Sequence, residues 1–207
     1  YHRILFAIAV ILLLSELYKQ LFHFYVMDNK TYDWWIFPFQ LCSLPMYLCA
    51  ILPFMKKSRW LIPLETFLMD FNLLGGLMAL LVPDGLMHPY ITLTLHAFVW
   101  HILLLFVGCF IGFSRHGDTS LSGFIKTLPI LLICIGAATL LNVLFHSYGD
   151  INMFYISPYK ITTQPVFSQI MKRTGIWIGN LLYITAMCIA AFLIHRMFAT
   201  IRRSCEK

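Results

Sequence analysis

The sequence predicts an all-α polytopic membrane protein: a bundle of six transmembrane helices forming a single integral membrane domain over residues 1–207. Three observations carry that expectation. Hydrophobic residues make up 60% of the chain and charged ones 12%, with a mean hydropathy of +0.78, which is more apolar surface than a soluble domain of this length can bury. Six apolar stretches are long enough to cross a hydrocarbon layer of about 30 Å at about 1.5 Å per residue. The basic residues also gather on alternate sides of those stretches, as Lys and Arg do when they resist translocation.

The first span is placed at about residues 4–24. Its flank has the sign of a signal peptide, but it contains Glu16 and Lys19 and has no small-residue cleavage site, so it is read as a retained helix. The second, at about 35–54, is the least regular because Pro38, Pro45 and Pro53 fall within it. The third, 60–81, holds Asp70, Asn72 and the pair Gly75 and Gly76, the glycines serving close helix packing. His96 and His101 lie on the fourth, 91–112, and Asn142 lies near the end of the fifth, 125–145. A long segment, 146–175, precedes the sixth span at 176–198. Its Phe154, Tyr155, Tyr159 and Phe167, beside Lys160, Lys172 and Arg173, suit either a stretch lying at the membrane interface or an ordered loop packed over the helices.

Charge sets the expected orientation. Arg3, Lys56, Lys57, Arg59, Arg115, Lys126, Arg196, Arg202, Arg203 and Lys207 fall on one side, against Lys19, Lys30, Lys160, Lys172 and Arg173 on the other, and ten against five places both termini in the cytoplasm. The net charge of +6 is then a topology signal whose partner is membrane lipid. No clustered basic face or RNA-binding motif supports a nucleic-acid partner. Of six cysteines, Cys42, Cys49, Cys109, Cys134 and Cys188 sit in apolar spans and Cys205 in the basic tail, with no CxxC pair, so they read as free thiols. No motif fixes two metal ligands on one face, and neither a metal nor a cofactor is expected. No internal repeat supports an inverted-repeat transporter.

The polar residues inside the spans are the functional signal. Asp at a helix centre costs roughly 2.5 to 3.5 kcal/mol even on lenient insertion scales, so such groups face a partner or a wet cavity. Counting inward along ideal helices puts Cys42 about 10 Å, His96 about 8 Å and His101 about 15 Å below one surface. Glu16 and Asp70 come near mid-depth, Asn142 lies within a turn of the same surface, and Gln40 and Ser43 flank Cys42. A single cavity opening outward would give this agreement. His96 and His101, about 140° apart on a helix, cannot both point straight into it. A thiol and an imidazole so placed suit acyl transfer, with the thiolate attacking an ester and the imidazole moving the proton. Asp70, Glu16 or Asn142 could orient the imidazole.

The segments PFQLCSLPMYL (Pro38–Leu48), NLLGGLMALLVPDGLMHP (Asn72–Pro89) and HAFVWHILLL (His96–Leu105), followed by Asn142 and NMFY (Asn152–Tyr155), occur in the order seen in the YwaF family. The chain resembles these six-helix integral membrane proteins of bacteria, which are related to eukaryotic transmembrane protein 164. The resemblance implies lipid acyl transfer through a Cys/His pair corresponding to Cys42 and His101, in a bacterial cytoplasmic membrane. Gln40 stands where such members commonly carry a histidine. The resulting expectation is a membrane-embedded acyltransferase with Cys42 as nucleophile, His101 as base and His96 as deputy. Gln40 and Asn142 would serve the oxyanion, Asp70 or Glu16 would fix the histidine, and Asn152 would contact substrate. The alternative is a non-enzymatic binding or transport protein that uses the same Asp, Glu and His cluster.

Overall fold

The computed structural model describes residues 1–55 and 57–205, and among these the secondary structure is helical with no strand. Lys56 and Lys207, two of the ten basic residues counted above, lie outside the described residues. Eight helices follow one another: α1 (His2–Phe22), α2 (Leu44–Ile51), α3 (Leu61–Phe67), α4 (Leu73–Leu81), α5 (Ile91–Phe113), α6 (Leu121–Phe145), α7 (Phe167–Thr174) and α8 (Ile176–Ser204). A π-helical turn, Leu68–Asn72, joins α3 and α4 without a break, and another, His23–Met27, prolongs α1.

Five of the resulting spans, His2–Met27, Leu61–Leu81, Ile91–Phe113, Leu121–Tyr148 and Ile176–Ser204, are long and apolar enough to cross a membrane, while Leu41–Phe54 is shorter. The expectation of one helix over 35–54 is therefore corrected. Trp34–Ile36 forms a 3₁₀ turn and helical structure resumes only at Leu41. Pro38 forbids helical geometry at the residue before it, and Gln40 is extended (φ −84°, ψ 163°). Fourteen helical residues reach only about 21 Å, so the non-helical residues 37–40, which turn where Phe39 N–H bonds the Phe37 carbonyl at 2.7 Å, complete this part of the bundle.

The continuous α3–α4 span is the centre of the molecule. Phe67, Leu68, Met69, Asp70 and Phe71 are each 0% exposed, as expected of a helix apolar on every side. Small residues let its neighbours close in: a Cβ at Gly108 of α5 would lie 2.7 Å from Leu73 Cβ, and one at Gly112 would lie 2.2 Å from the Phe198 ring of α8. Asn72 Nδ2 donates to the Leu104 carbonyl at 2.9 Å, tying the span to α5. Phe71 stacks on Phe124 of α6.

The bundle has two distinct faces. Both ends of the described chain meet the α5–α6 connection. Tyr1 stacks on His116, and Arg202 donates to the carbonyls of Gly112 and Gly117, capping the end of α5. At the other end lie the turns after α1 and α4, where Phe22 meets Tyr90, and the long segment after α6. These are called below the basic face and the loop face.

Candidate functional site

The long segment, residues 146–175, is more than a cover. Ile151, Met153 and Ser157 are 0% exposed and Asn152, Phe154 and Ile156 at most 5%, so this stretch is a strap sunk into the loop face. Two amides hold it by its backbone. Asn142 donates from Nδ2 to the Met153 carbonyl at 3.0 Å and accepts from Met153 N–H at 2.6 Å. Gln40 donates to the Asn152 carbonyl at 3.0 Å and accepts from Phe154 N–H at 2.7 Å. Asn152 turns its own Oδ1 to Ser157 N–H at 2.8 Å, and Asn180 of α8 donates to the Ile156 carbonyl at 2.9 Å. Between these clamps Phe154 and Tyr155 adopt left-handed φ of 58° and 59°, a conformation costing roughly 1–2 kcal/mol per residue that persists only where surrounding bonds fix it. The amides of Gln40, Asn142 and Asn152, expected at an oxyanion or substrate, are here engaged with backbone. The segment closes with α7, an amphipathic helix that ends at Gly175, whose φ of +88° lets the chain turn directly into α8.

Cys42 lies in the 3₁₀ turn Leu41–Ser43 that precedes α2. Its carbonyl accepts a hydrogen bond from Trp100 Nε1 at 3.0 Å, which fastens this turn to α5 one residue before His101. The adjacent glycines of α4 bring the two turns near each other. A Cβ at Gly75 would lie 3.9 Å from Leu41, and one at Gly76 would lie 3.2 Å from the His101 carbonyl. Among the described residues the hydrogen bonds include none from the Cys42 thiol to either histidine.

His101 is 9% exposed, and its Nδ1 lies 2.7 Å from the Ala97 carbonyl one turn back on its own helix. A carbonyl only accepts, so Nδ1 carries the proton and Nε2 keeps its lone pair. The orienting partner sought among Asp70 and Glu16 is thus a backbone carbonyl. His96 diverges as its spacing predicts. It turns toward α1, with its ring 6.1 Å from that of Tyr18, and its buried Nε2 has no hydrogen-bond partner among the described residues.

The two carboxylates also depart from expectation, and they do not meet each other. Glu16, 6% exposed, pairs with Lys19 Nζ at 2.9 Å and accepts from Gln20 Nε2 at 2.7 Å, all on one face of α1. Gln20 also donates to the Ile36 carbonyl at 2.8 Å, anchoring the turn that leads to Cys42. Asp70 points away from the Cys42 region. Its Oδ2 lies 2.9 Å from His195 Nδ1 on α8, and both side chains are fully buried. His195 Nε2 reaches the Ser120 carbonyl at 2.9 Å. Asp70 therefore belongs to a second polar cluster toward the basic face, because the π turn, with one extra residue, rotates its side chain toward α8. His195 was not anticipated from sequence. The one signal was Asp70 itself, a buried carboxylate that required a partner. Glu65 was missed likewise. It is 1% exposed, with Oε1 3.7 Å from His116 Nδ1 on the basic face.

No group of three or more His, Cys, Asp or Glu among the described residues could hold a metal ion, and all six cysteines are free thiols. The model of the TMEM164 family matches residues 1–196. No curated protein and no solved structure gives a significant match to the chain.

Proposed function

The chain belongs to the TMEM164 family, and from that premise we propose that it transfers an acyl chain between membrane lipids through Cys42 and His101. The observation that carries this reading is the Nδ1–Ala97 bond of His101, at 2.7 Å, which leaves the Nε2 lone pair as a base. The Trp100 bond to the Cys42 carbonyl supports it by holding the nucleophile's turn against the base's turn.

In this reading His101 Nε2 takes the Cys42 thiol proton and the thiolate attacks the ester carbonyl of a donor lipid. The ester C–O bond breaks, an acyl thioester forms on Cys42, and the imidazolium returns its proton to the departing lysolipid oxygen. The hydroxyl of an acceptor lipid then gives its proton to Nε2 and attacks the thioester, and the thiolate leaves and is reprotonated. Gln40, Asn142 and Asn152 act as positioning residues that set the strap beside the thiol. The reaction needs no cofactor. The protein would sit in a bacterial cytoplasmic membrane with the basic face inward, so the Cys42 turn lies toward the outer leaflet. The ten-to-five split of basic residues supports that orientation.

The test is acyl exchange by the purified protein in phosphatidylcholine vesicles holding a donor lipid with a labelled acyl chain and an unlabelled lysolipid. Cys42→Ala abolishes transfer, and His101→Gln lowers it by about a hundredfold or more, the usual contribution of a general base. Transfer that survives Cys42→Ala overturns the proposal. A protein that only binds or relays a small ligand would tolerate that change and respond to Glu16→Gln instead.

A further inference from the structure

The basic face carries a second feature that the acyl-transfer reading does not use. Between α3 and the start of α6 lies an open cleft of about 560 Å³ whose charged lining is Arg59, Lys126 and Asp118. Arg59 holds its guanidinium 5.6 Å from the centre of the Trp60 ring. The Asp118 carboxylate is partly engaged, since Oδ1 accepts from Ser120 N–H at 2.8 Å. Close approach there depends on Gly123, since a Cβ at that position would lie 2.5 Å from Asp118 Cγ.

A second cleft, of about 210 Å³, shares Trp60 with the first and is lined by Leu64, Ile130, Ile133 and Cys134, with no charged residue. Along α6 the succession from Lys126 to Cys134 runs from the charged cleft into the apolar one, a rise of about 12 Å. A cationic mouth at the membrane surface thus continues into an apolar groove that follows the bilayer depth, with an interfacial Trp at the junction. That is the shape and polarity of one phospholipid, headgroup first and chain behind.

We propose that this cleft binds an anionic phospholipid of the leaflet at the basic face, its phosphate between Arg59 and Lys126 and one acyl chain along Leu64, Ile130 and Ile133. Basic pockets between transmembrane helices favour anionic headgroups. Arg59 and Lys126 less Asp118 leave one net positive charge, worth about fivefold in preference at ~1 kcal/mol per charge. The site is separate from Cys42, so its failure leaves the acyl-transfer reading untouched.

The probe is Trp60 emission, isolated as the difference between the protein and its Trp60→Phe variant. Both are reconstituted in phosphatidylcholine vesicles containing a minor fraction of lipid with brominated chains. Brominated phosphatidylglycerol quenches that component at about one fifth of the concentration that brominated phosphatidylcholine requires. The preference disappears in Arg59→Gln/Lys126→Gln, which changes two exposed side chains. Equal quenching by the two lipids, or a preference that persists in the double variant, overturns the proposal.

Discussion

At the scale of single residues, the buried histidines His101 and His195 do opposite work, and their hydrogen bonds show why. His195 has both ring nitrogens engaged, Nε2 on a carbonyl and Nδ1 on Asp70, so whichever group holds the shared proton the pair is neutral as a unit. It joins the central span, α8 and the α5–α6 connection. Removing one partner leaves the other buried without compensation, and Asp70→Ala or His195→Ala is expected to cost about 3–5 kcal/mol. His101 spends one nitrogen on its own helix and keeps the other, so His101→Ala removes a base and some packing but leaves no buried charged partner uncompensated. The two variants therefore separate cleanly. Thermal unfolding in detergent shows a large loss for Asp70→Ala and a small one for His101→Ala, while acyl exchange is lost in the latter with the fold retained. Equal destabilisation by both would mean that His101 is a structural histidine.

Among the elements, the strap depends most on distant side chains, because the only regular backbone structure within residues 151–157 is the single 3₁₀ turn Met153–Tyr155. Asn142 supplies both a donor and an acceptor to Met153. Asn142→Leu leaves the buried Met153 N–H unpaired, at about 1–3 kcal/mol, while the Met153 carbonyl keeps its bond from Ile156 N–H at 3.3 Å; it is expected to open the strap to limited proteolysis between Ile151 and Ser157 while the spans stay intact. Asn142→Asp retains the acceptor for Met153 N–H and falls between. Protection unchanged in Asn142→Leu would show that apolar burial alone seats the strap. These elements also mark where the sequence stops being legible. Long apolar runs announce α1, α5, α6 and α8, because spanning a bilayer demands length and hydropathy that no other context produces. Pro38 announces the irregular second span but not the tight turn from Phe37 to Phe39 that precedes its helical part. The π turn at Leu68–Asn72 has no signature in composition, so Asp70 was assigned to the cavity it faces away from. Gln40 and Asn142 were recognised as polar residues in need of partners, but their partners lie 112 and 11 residues away in the chain, and pairing across such distances is set by the fold.

For the molecule as a whole, function turns on which face looks inward. The loop face carries Cys42, the strap and α7. The basic face carries both ends of the described chain, the Asp70–His195 cluster behind it and the cationic cleft. Lys and Arg near span ends resist translocation, and the ten basic residues assigned to the second face outnumber the five on the first. The expected arrangement places Cys205, exposed beyond α8, in the cytoplasm, and Gly149, on the connection after α6, outside. Gly149 has open space around it, so a cysteine there tolerates a label, although its φ of 153° makes the substitution mildly strained. In intact cells a membrane-impermeant maleimide labels the Gly149→Cys variant at once and reaches Cys205 only after permeabilisation. The reverse pattern would turn the bundle over, moving the proposed acyl-transfer site to the cytoplasmic leaflet and the anionic-lipid cleft to the outer one. Because each site draws on the lipid of its own leaflet, this one measurement fixes the substrate pool available to Cys42 before any substrate is known.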